Sequence, residues 1–279
     1  MKKFIATFIT VLFLASICEA GKVLMNVWDG CEYGIIEKLY NAGKLPNLKS
    51  IGGLKHLTTN EDYFGTIIPT CRKRHMLSQT KPQHATMLTG VLADQHGVLD
   101  NNEGCYQKIP AKLTLYKKIK DINSNVLTAH LTAKKDMIGE VMFGNVVPIV
   151  DRFHSSNRPP SAVALEVKNL IPLWKDQEFL IFMHFGYPDG LGHQYGFNSP
   201  QYEDAIIEDD KQLGVIIDTL KANGIYDSVA IYVLSDHGFG CPTAMEHRCA
   251  KNTFIVSTDS RVVNGKFMKD VAGYILSNY

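Results

Sequence analysis

The chain has 279 residues, 45% of them apolar and 20% charged, with a formal net charge of +1. This is ordinary globular composition, without the bias of a disordered or collagen-like chain. The near-zero charge argues against a protein that grips a nucleic-acid duplex by its phosphates, but it leaves room for a small phosphorylated substrate held by a few local charges.

The first element is unlike the rest. Lys2 and Lys3 precede an apolar run over residues 4–17, and Cys18-Glu19-Ala20 puts a small residue at each position a signal peptidase reads. The run is shorter than the roughly 20 residues of a membrane span. It reads as a secretory signal over residues 1–20, leaving residues 21–279 as one compact domain, secreted or periplasmic, with no stable membrane span after cleavage. Ile17 is too bulky for a lipoprotein signal ahead of Cys18. The remaining cysteines are Cys31, Cys71, Cys105, Cys241 and Cys249. An odd number permits at most two internal disulfides. Cys241 and Cys249 are near enough in sequence to close a small loop, and no C-x-x-C pair is present to build a zinc knuckle.

Along the domain, KVLMNVW (Lys22–Trp28) reads as a strand buried on both faces and runs directly into Asp29-Gly30. A helical pattern follows over Tyr33–Asn41. Thr80-Lys81-Pro82 opens a further helical stretch that stops at Gly90, since proline is favoured in a first helical turn. A helix over 162–170 precedes the strand FLIFMHF (Phe179–Phe185), which leads to Gly186-Tyr187-Pro188-Asp189. The longest helical pattern covers 202–220. VAIYVL at 229–234 is the third buried strand and ends at Ser235-Asp236-His237-Gly238. Strands alternating with helices predict an α/β fold with a mainly parallel central sheet and helices on both faces.

Asp29, Asp189, Asp236 and His237 all follow the carboxyl end of a predicted strand, the edge where open α/β sheets bind ligands. A single aspartate there is commonly a turn former or a cap. Three of three, with His193 and His237 beside two of them, form a metal-binding pattern of oxygen and imidazole ligands suited to Zn²⁺, Mn²⁺ or Fe. His247, in the loop after His237, is the best candidate for a missing ligand. Glycines at 190, 192 and 196 favour a loop around Asp189 and His193 over a helix. Thr80 lies where first-turn N–H groups and the helix dipole favour an anion, although by itself it reads equally as a capping residue.

Five ordered blocks now carry a resemblance: VWDG with the downstream AGKLPNL, TKPQHATMLTGVLADQHGV, YPDGLGHQYG, SDHGFG, and the histidine of MEHR. They make the chain similar to the alkaline phosphatase superfamily, near its nucleotide pyrophosphatase/phosphodiesterase branch, from residue 23 to about 257. The resemblance implies two divalent metal ions, most simply zinc. One would be held by Asp29, Thr80, Asp236 and His237, the other by Asp189, His193 and His247. It implies that Thr80 is the nucleophile, that a phosphothreonine forms, and that Asn101 donates to a phosphoryl oxygen. His84 and His96 either support the ligands or simply pack. The chain is short for this family, and Glu-His-Arg stands around His247 where His-Gly is common.

Threonine at position 80 speaks against the sulfatase branch, whose cysteine or serine is converted to an aldehyde hydrate. The intact ligand set speaks against a non-catalytic binding protein, and the signal speaks against a cytosolic mutase. Between Thr80 and Asn101 the only cation is Lys81, so diesters are expected over monoesters unless Arg152 or Arg158 reaches the site. Phosphomonoester or phosphonate hydrolysis is the alternative activity.

Overall fold

A computed structural model describes residues 21–59, 78–102 and 105–279. The expected signal at residues 1–20 and Cys71 lie outside the described residues. An eight-stranded sheet runs through the domain in the order β4-β3-β5-β1-β6-β7-β2-β8. In chain order the strands are β1 (Lys22–Trp28), β2 (Lys55–Thr58), β3 (Leu127–Thr132), β4 (Arg152–Ser155), β5 (Phe179–Phe185), β6 (Ala230–Leu234), β7 (Asn252–Ser257) and β8 (Lys266–Phe267). Pairings from β4 across to β6 are parallel, and β7 is antiparallel to both its neighbours, β6 and β2. The expected mainly parallel α/β sheet is therefore present.

Side chains alternate faces along a strand, and each central strand feeds two cores. Leu24 and Trp28 of β1, Ile181 and Phe185 of β5, and Ile231 and Val233 of β6 join the core under helices Tyr33–Asn41, Pro160–Trp174 and Pro200–Ala222. Val23, Met25, Phe182 and Tyr232 join the opposite core, under helices Thr80–Thr89, Leu115–Ile122 and Val271–Leu276. This double burial explains the uninterrupted apolar runs in the sequence.

The long helix begins at Pro200, with the Ser199 side chain accepting from Tyr202 N. Serine at the cap and proline in the first turn both favour that start. It positions Tyr202, whose hydroxyl donates to Gly30 O at 2.6 Å and accepts from Glu32 N at 2.9 Å. The turn that carries Asp29 is thereby clamped from below. Among the described residues, no helix is long and apolar enough to cross a membrane.

Phe182 is fully buried, its ring stacked on His130 at 4.9 Å between centroids. Phe182→Ala is expected to lower the free energy of unfolding by about 3–5 kcal/mol, the usual cost of emptying a close-packed aromatic position. Urea denaturation measures this, and a loss below about 1 kcal/mol would mean that this core is loosely packed.

Candidate active site

Four adjacent parallel strands, β3, β5, β1 and β6, deliver polar residues to one edge of the sheet. β1 runs into Asp29, and β6 is followed by Asp236 and His237. β5 leads through Gly186 into a helix at Tyr187–Tyr195 that carries Asp189 and His193. This corrects the expected loop. Pro188 lies in the first helical turn, and Gly192 is a packing glycine: a Cβ there would stand 2.8 Å from the Phe239 ring. The helix puts His193 Nε2 3.4 Å from Asp189 Oδ1, one turn apart on one face. Gly30 has φ +71°, and a Cβ on it would come within 2.9 Å of Asp189 Cβ. Glycine is therefore required where the β1 turn meets this helix.

Among the described residues, two groups of side chains could hold a metal ion. One is Asp29, Asp236 and His237; the other is Asp189, His237 and His247; within each, the ligand atoms lie within 4.8 Å of one another. The first group brings together three of the four residues expected for one ion, the fourth being Thr80. The second joins Asp189 and His247 to His237, while the half-exposed His193 brings its Nε2 to 3.4 Å from Asp189 Oδ1. His247 is buried, with its ring stacked on His237 at 3.8 Å between centroids. The loop bearing it is closed by a Cys241–Cys249 disulfide, as the sequence spacing allowed. Cys31 is a buried free thiol.

The donor atoms suit cations. Asp29 Oδ1, Asp189 Oδ1 and Asp236 Oδ2 are buried without a hydrogen-bond partner. Each candidate histidine donates Nδ1–H to a backbone carbonyl: His237 to Gly238 at 2.9 Å, His247 to Ser78 at 2.7 Å and His193 to Met245 at 2.9 Å. That fixes the tautomer in which Nε2 keeps its lone pair for a metal. Burial, with the charge of His237, pushes His247 down to about 3, and burial also lowers His237, so both candidate ligands are neutral at physiological pH.

The carboxylates divide by the cations that reach them. Burial raises Asp29, but Lys134, His184 and His237 together overcome it and hold the group well below its ordinary value. Asp189 is likewise lowered, burial being outweighed by Lys134 and the histidines. Asp236 is pushed well up by burial and by the Asp29 charge. Its Oδ1 accepts from Gly30 N and His237 N, both at 3.0 Å, while Oδ2 has no partner. Among the described residues, three buried carboxylates face one lysine, a set short of positive charge.

Thr80 is the first residue of its helix, and Gln79 is the cap. The Thr80 side chain is buried, with Oγ1 3.4 Å from His237 Nε2. Asn101 Oδ1 accepts from Lys81 N at 2.9 Å, which docks the amide on the same helix N-terminus with Nδ2 left to donate. Lys81 turns away: its ammonium donates to Asn101 O at 3.0 Å and lies 3.6 Å from the Tyr106 ring centroid. Arg152 and Arg158 do not reach the site, because both pair with Glu166 at 2.6 Å. His84 donates Nδ1–H to Thr80 O at 2.8 Å and stands 3.4 Å from Asp236 Oδ2, beside the candidate ligands. His96 instead contacts Thr86 and accepts from Val98 N, a packed histidine away from them.

Two residues at the site carried no signal in the reading of the sequence. His184, inside β5, donates Nε2–H to Asp29 Oδ2 at 2.9 Å. Lys134, two residues beyond β3, pairs with Asp29 Oδ2 at 2.8 Å and also with Asp189 Oδ2. A lysine following a strand at this edge is the signal that would have found it, but β3 itself carries Thr128, His130 and Thr132 and does not read as a buried strand.

A family model for type I phosphodiesterase / nucleotide pyrophosphatase matches residues 23–267. Ectonucleotide pyrophosphatase/phosphodiesterase family member 7 of Mus musculus is 26% identical over 180 residues, 58% of this chain and 40% of its own length. The chain thus aligns with less than half of that curated relative. Among solved structures, an inactive threonine-to-alanine variant of murine ectonucleotide pyrophosphatase / phosphodiesterase 5, in complex with AMP, superposes with a TM-score of 0.56 at 18% identity, covering 78% of this chain and 57% of that one. A mutant of TAB5 alkaline phosphatase with magnesium bound superposes with a TM-score of 0.62 at 11% identity, covering 93% of this chain and 98% of that one. At these identities the two structures establish a shared fold.

Proposed function

The chain belongs to the type I phosphodiesterase / nucleotide pyrophosphatase family, and from that membership we propose that it is an exported, two-metal phosphoester hydrolase acting through a phosphothreonine on Thr80. The domain is residues 21–279, with residues 1–20 as its signal. Candidate ligands are Asp29, Thr80, Asp236 and His237 for one ion, and Asp189, His193 and His247 for the other. Zinc suits this donor set of carboxylate oxygen and imidazole nitrogen. The observation that carries the reading is Thr80 Oγ1 at a helix N-terminus, 3.4 Å from His237 Nε2, a nitrogen that itself lies 3.5 Å from Asp29 Oδ1 and 3.4 Å from Asp236 Oδ2, two buried oxygens without a hydrogen-bond partner. Export is supported by the ecto-enzyme description of the mouse relative.

Two divalent ions, when bound, would supply the positive charge that stabilises the Thr80 oxygen as a nucleophile and the oxygen that leaves. Thr80 Oγ1 attacks phosphorus in line, and the phosphorus–oxygen bond to the leaving group breaks. With a diester substrate the phosphothreonine keeps the second ester, and water then breaks its bond to Thr80, releasing a phosphomonoester and restoring the hydroxyl. Asn101 Nδ2 and the N-terminus of the Thr80 helix hold the equatorial oxygens as charge builds on them.

The substrate we propose is a small phosphodiester or pyrophosphate, with nucleotides the natural class given the AMP complex of the murine protein. A monoester dianion carries one more charge than a diester monoanion, and it is best met by a free cation beyond the metals. Lys81 is turned away, and Arg152 and Arg158 are spent on Glu166. Lys134 is already shared between two aspartates. Zinc-loaded protein should therefore give a higher kcat/KM for bis-p-nitrophenyl phosphate than for p-nitrophenyl phosphate, with a sulfate ester far behind. A diester-to-monoester ratio well below one would overturn the substrate class and reassign the protein as a phosphomonoesterase.

A further inference from the structure

Building on the two-ion reading, we propose that Lys134 is a positioning residue that couples the two candidate metal pockets. Its ammonium grips the outer oxygen of one aspartate from each pocket and turns the inner oxygen of both toward the ions.

The division of each carboxylate is the basis. Lys134 Nζ pairs with Asp29 Oδ2 at 2.8 Å and with Asp189 Oδ2. His184 adds a second donor to Asp29 Oδ2 at 2.9 Å. The other oxygen of each aspartate is buried and unpartnered. Asp29 Oδ1 lies 3.5 Å from His237 Nε2. Asp189 Oδ1 lies 3.4 Å from His193 Nε2 and 3.6 Å from His247 Nε2. The atoms that point at the candidate histidine ligands are thus the ones Lys134 leaves alone.

Lys134 is itself held in place. Its backbone N–H donates to Thr132 Oγ1 at 3.1 Å, just past the end of β3. Its side chain runs along Gly186, where a Cβ would meet the lysine carbons at 3.4 Å. Because β3 pairs with β5 and β5 with β1, the sheet itself sets the reach from Lys134 to Asp189 and Asp29. One ammonium bridging two ligands, one from each pocket, fixes their separation in a way that neither pocket achieves alone. Partners that orient metal ligands from outside typically contribute roughly 10- to 100-fold in metal affinity.

The opposing expectation is that the ammonium competes with the ions. In that case its removal would tighten metal binding. Zinc affinity and stoichiometry, measured by competition with a chromophoric chelator, separate the two. Lys134→Met should weaken both sites, each by roughly 10- to 100-fold, and should shift the visible absorption bands of the cobalt-substituted protein. Lys134→Arg, which keeps a cation in reach, should restore most of the affinity and the wild-type bands. If the methionine variant does not fold, Lys134→Gln is read in the same way. Zinc binding that is unchanged or tighter, with unaltered cobalt bands, would overturn the coupling role while two ions in the wild type left the two-ion reading standing. Failure of the wild type to bind two ions would instead remove the premise, and the coupling role with it.

Discussion

Thr80→Ala is expected to lower turnover of the preferred diester by roughly three orders of magnitude or more, since loss of the atom that attacks phosphorus removes the covalent route. Thr80→Ser keeps an oxygen on the same helix terminus and should retain measurable activity. The fold should survive both changes. Among the described residues, the Thr80 hydroxyl has one side-chain contact within hydrogen-bond range, the 3.4 Å approach to His237 Nε2. Stability should shift by no more than about 1 kcal/mol, which separates lost chemistry from lost structure. Acid-quenched mass spectrometry of the wild type during turnover should find on Thr80 the phosphoryl group with the ester that the diester retains, and nothing there in the alanine variant. An alanine variant with near wild-type kcat would show that water attacks directly and would remove the phosphothreonine from the reaction.

The parts of this architecture visible in the sequence are those where one residue type does one job. β1 and β5 read at their full bounds because both faces of each are buried, so most positions carry an apolar residue. The aspartates that follow them stand out against that background, and so does the Asp236-His237 pair after β6. What escaped notice depended on tertiary packing. β3 alternates buried threonine and histidine with apolar residues. His130 is acceptable in the core because it bonds Tyr116 Oη and Ile138 O, both at 2.8 Å, and stacks between Phe153 and Phe182. None of these partners is near it in sequence, so the strand and the Lys134 that follows it went unread. The glycines at 190 and 192 were read as loop formers, when close approach by Phe239 is the reason for Gly192. His184 was hidden for the opposite reason: inside an apolar strand a histidine resembles a packing residue until Asp29 is found beside it.

The neighbourhood of Asp236 connects this geometry to stability. Asp29 and Asp189 share Lys134, whereas Asp236 has backbone N–H groups on one oxygen and no partner on the other. Burying a carboxylate oxygen without a hydrogen bond is costly, and burial with the Asp29 charge pushes the pKa of the group well up. A cation at this site changes that balance, and because the unfolded chain cannot assemble the site, its binding free energy adds to folding.

Removal of metal is accordingly expected to abolish hydrolysis and to destabilise the protein together. Ligands bound only by the native state stabilise it by RT ln(1 + [L]/Kd), about 4 kcal/mol for an ion present at a thousand times its Kd. For a domain of this size that corresponds to a fall in melting temperature on the order of 10 °C. Elemental analysis of the mature protein should find close to two ions per chain, mostly zinc, and dialysis against a chelator should remove them. Readdition of zinc should restore both the melting temperature and the activity, whereas sodium should restore neither, since only a divalent ion balances three buried carboxylates against one lysine. His247→Ala provides a partial version of the same test. It deletes a ligand candidate from the group with Asp189 and His237 while leaving Asp29 and Asp236 in place, so the variant should retain about one tightly held ion. Protein that carries no stoichiometric metal, and whose melting temperature and turnover are indifferent to chelation, would refute the two-ion site and leave Lys134 as the cation that Asp29 and Asp189 were built around.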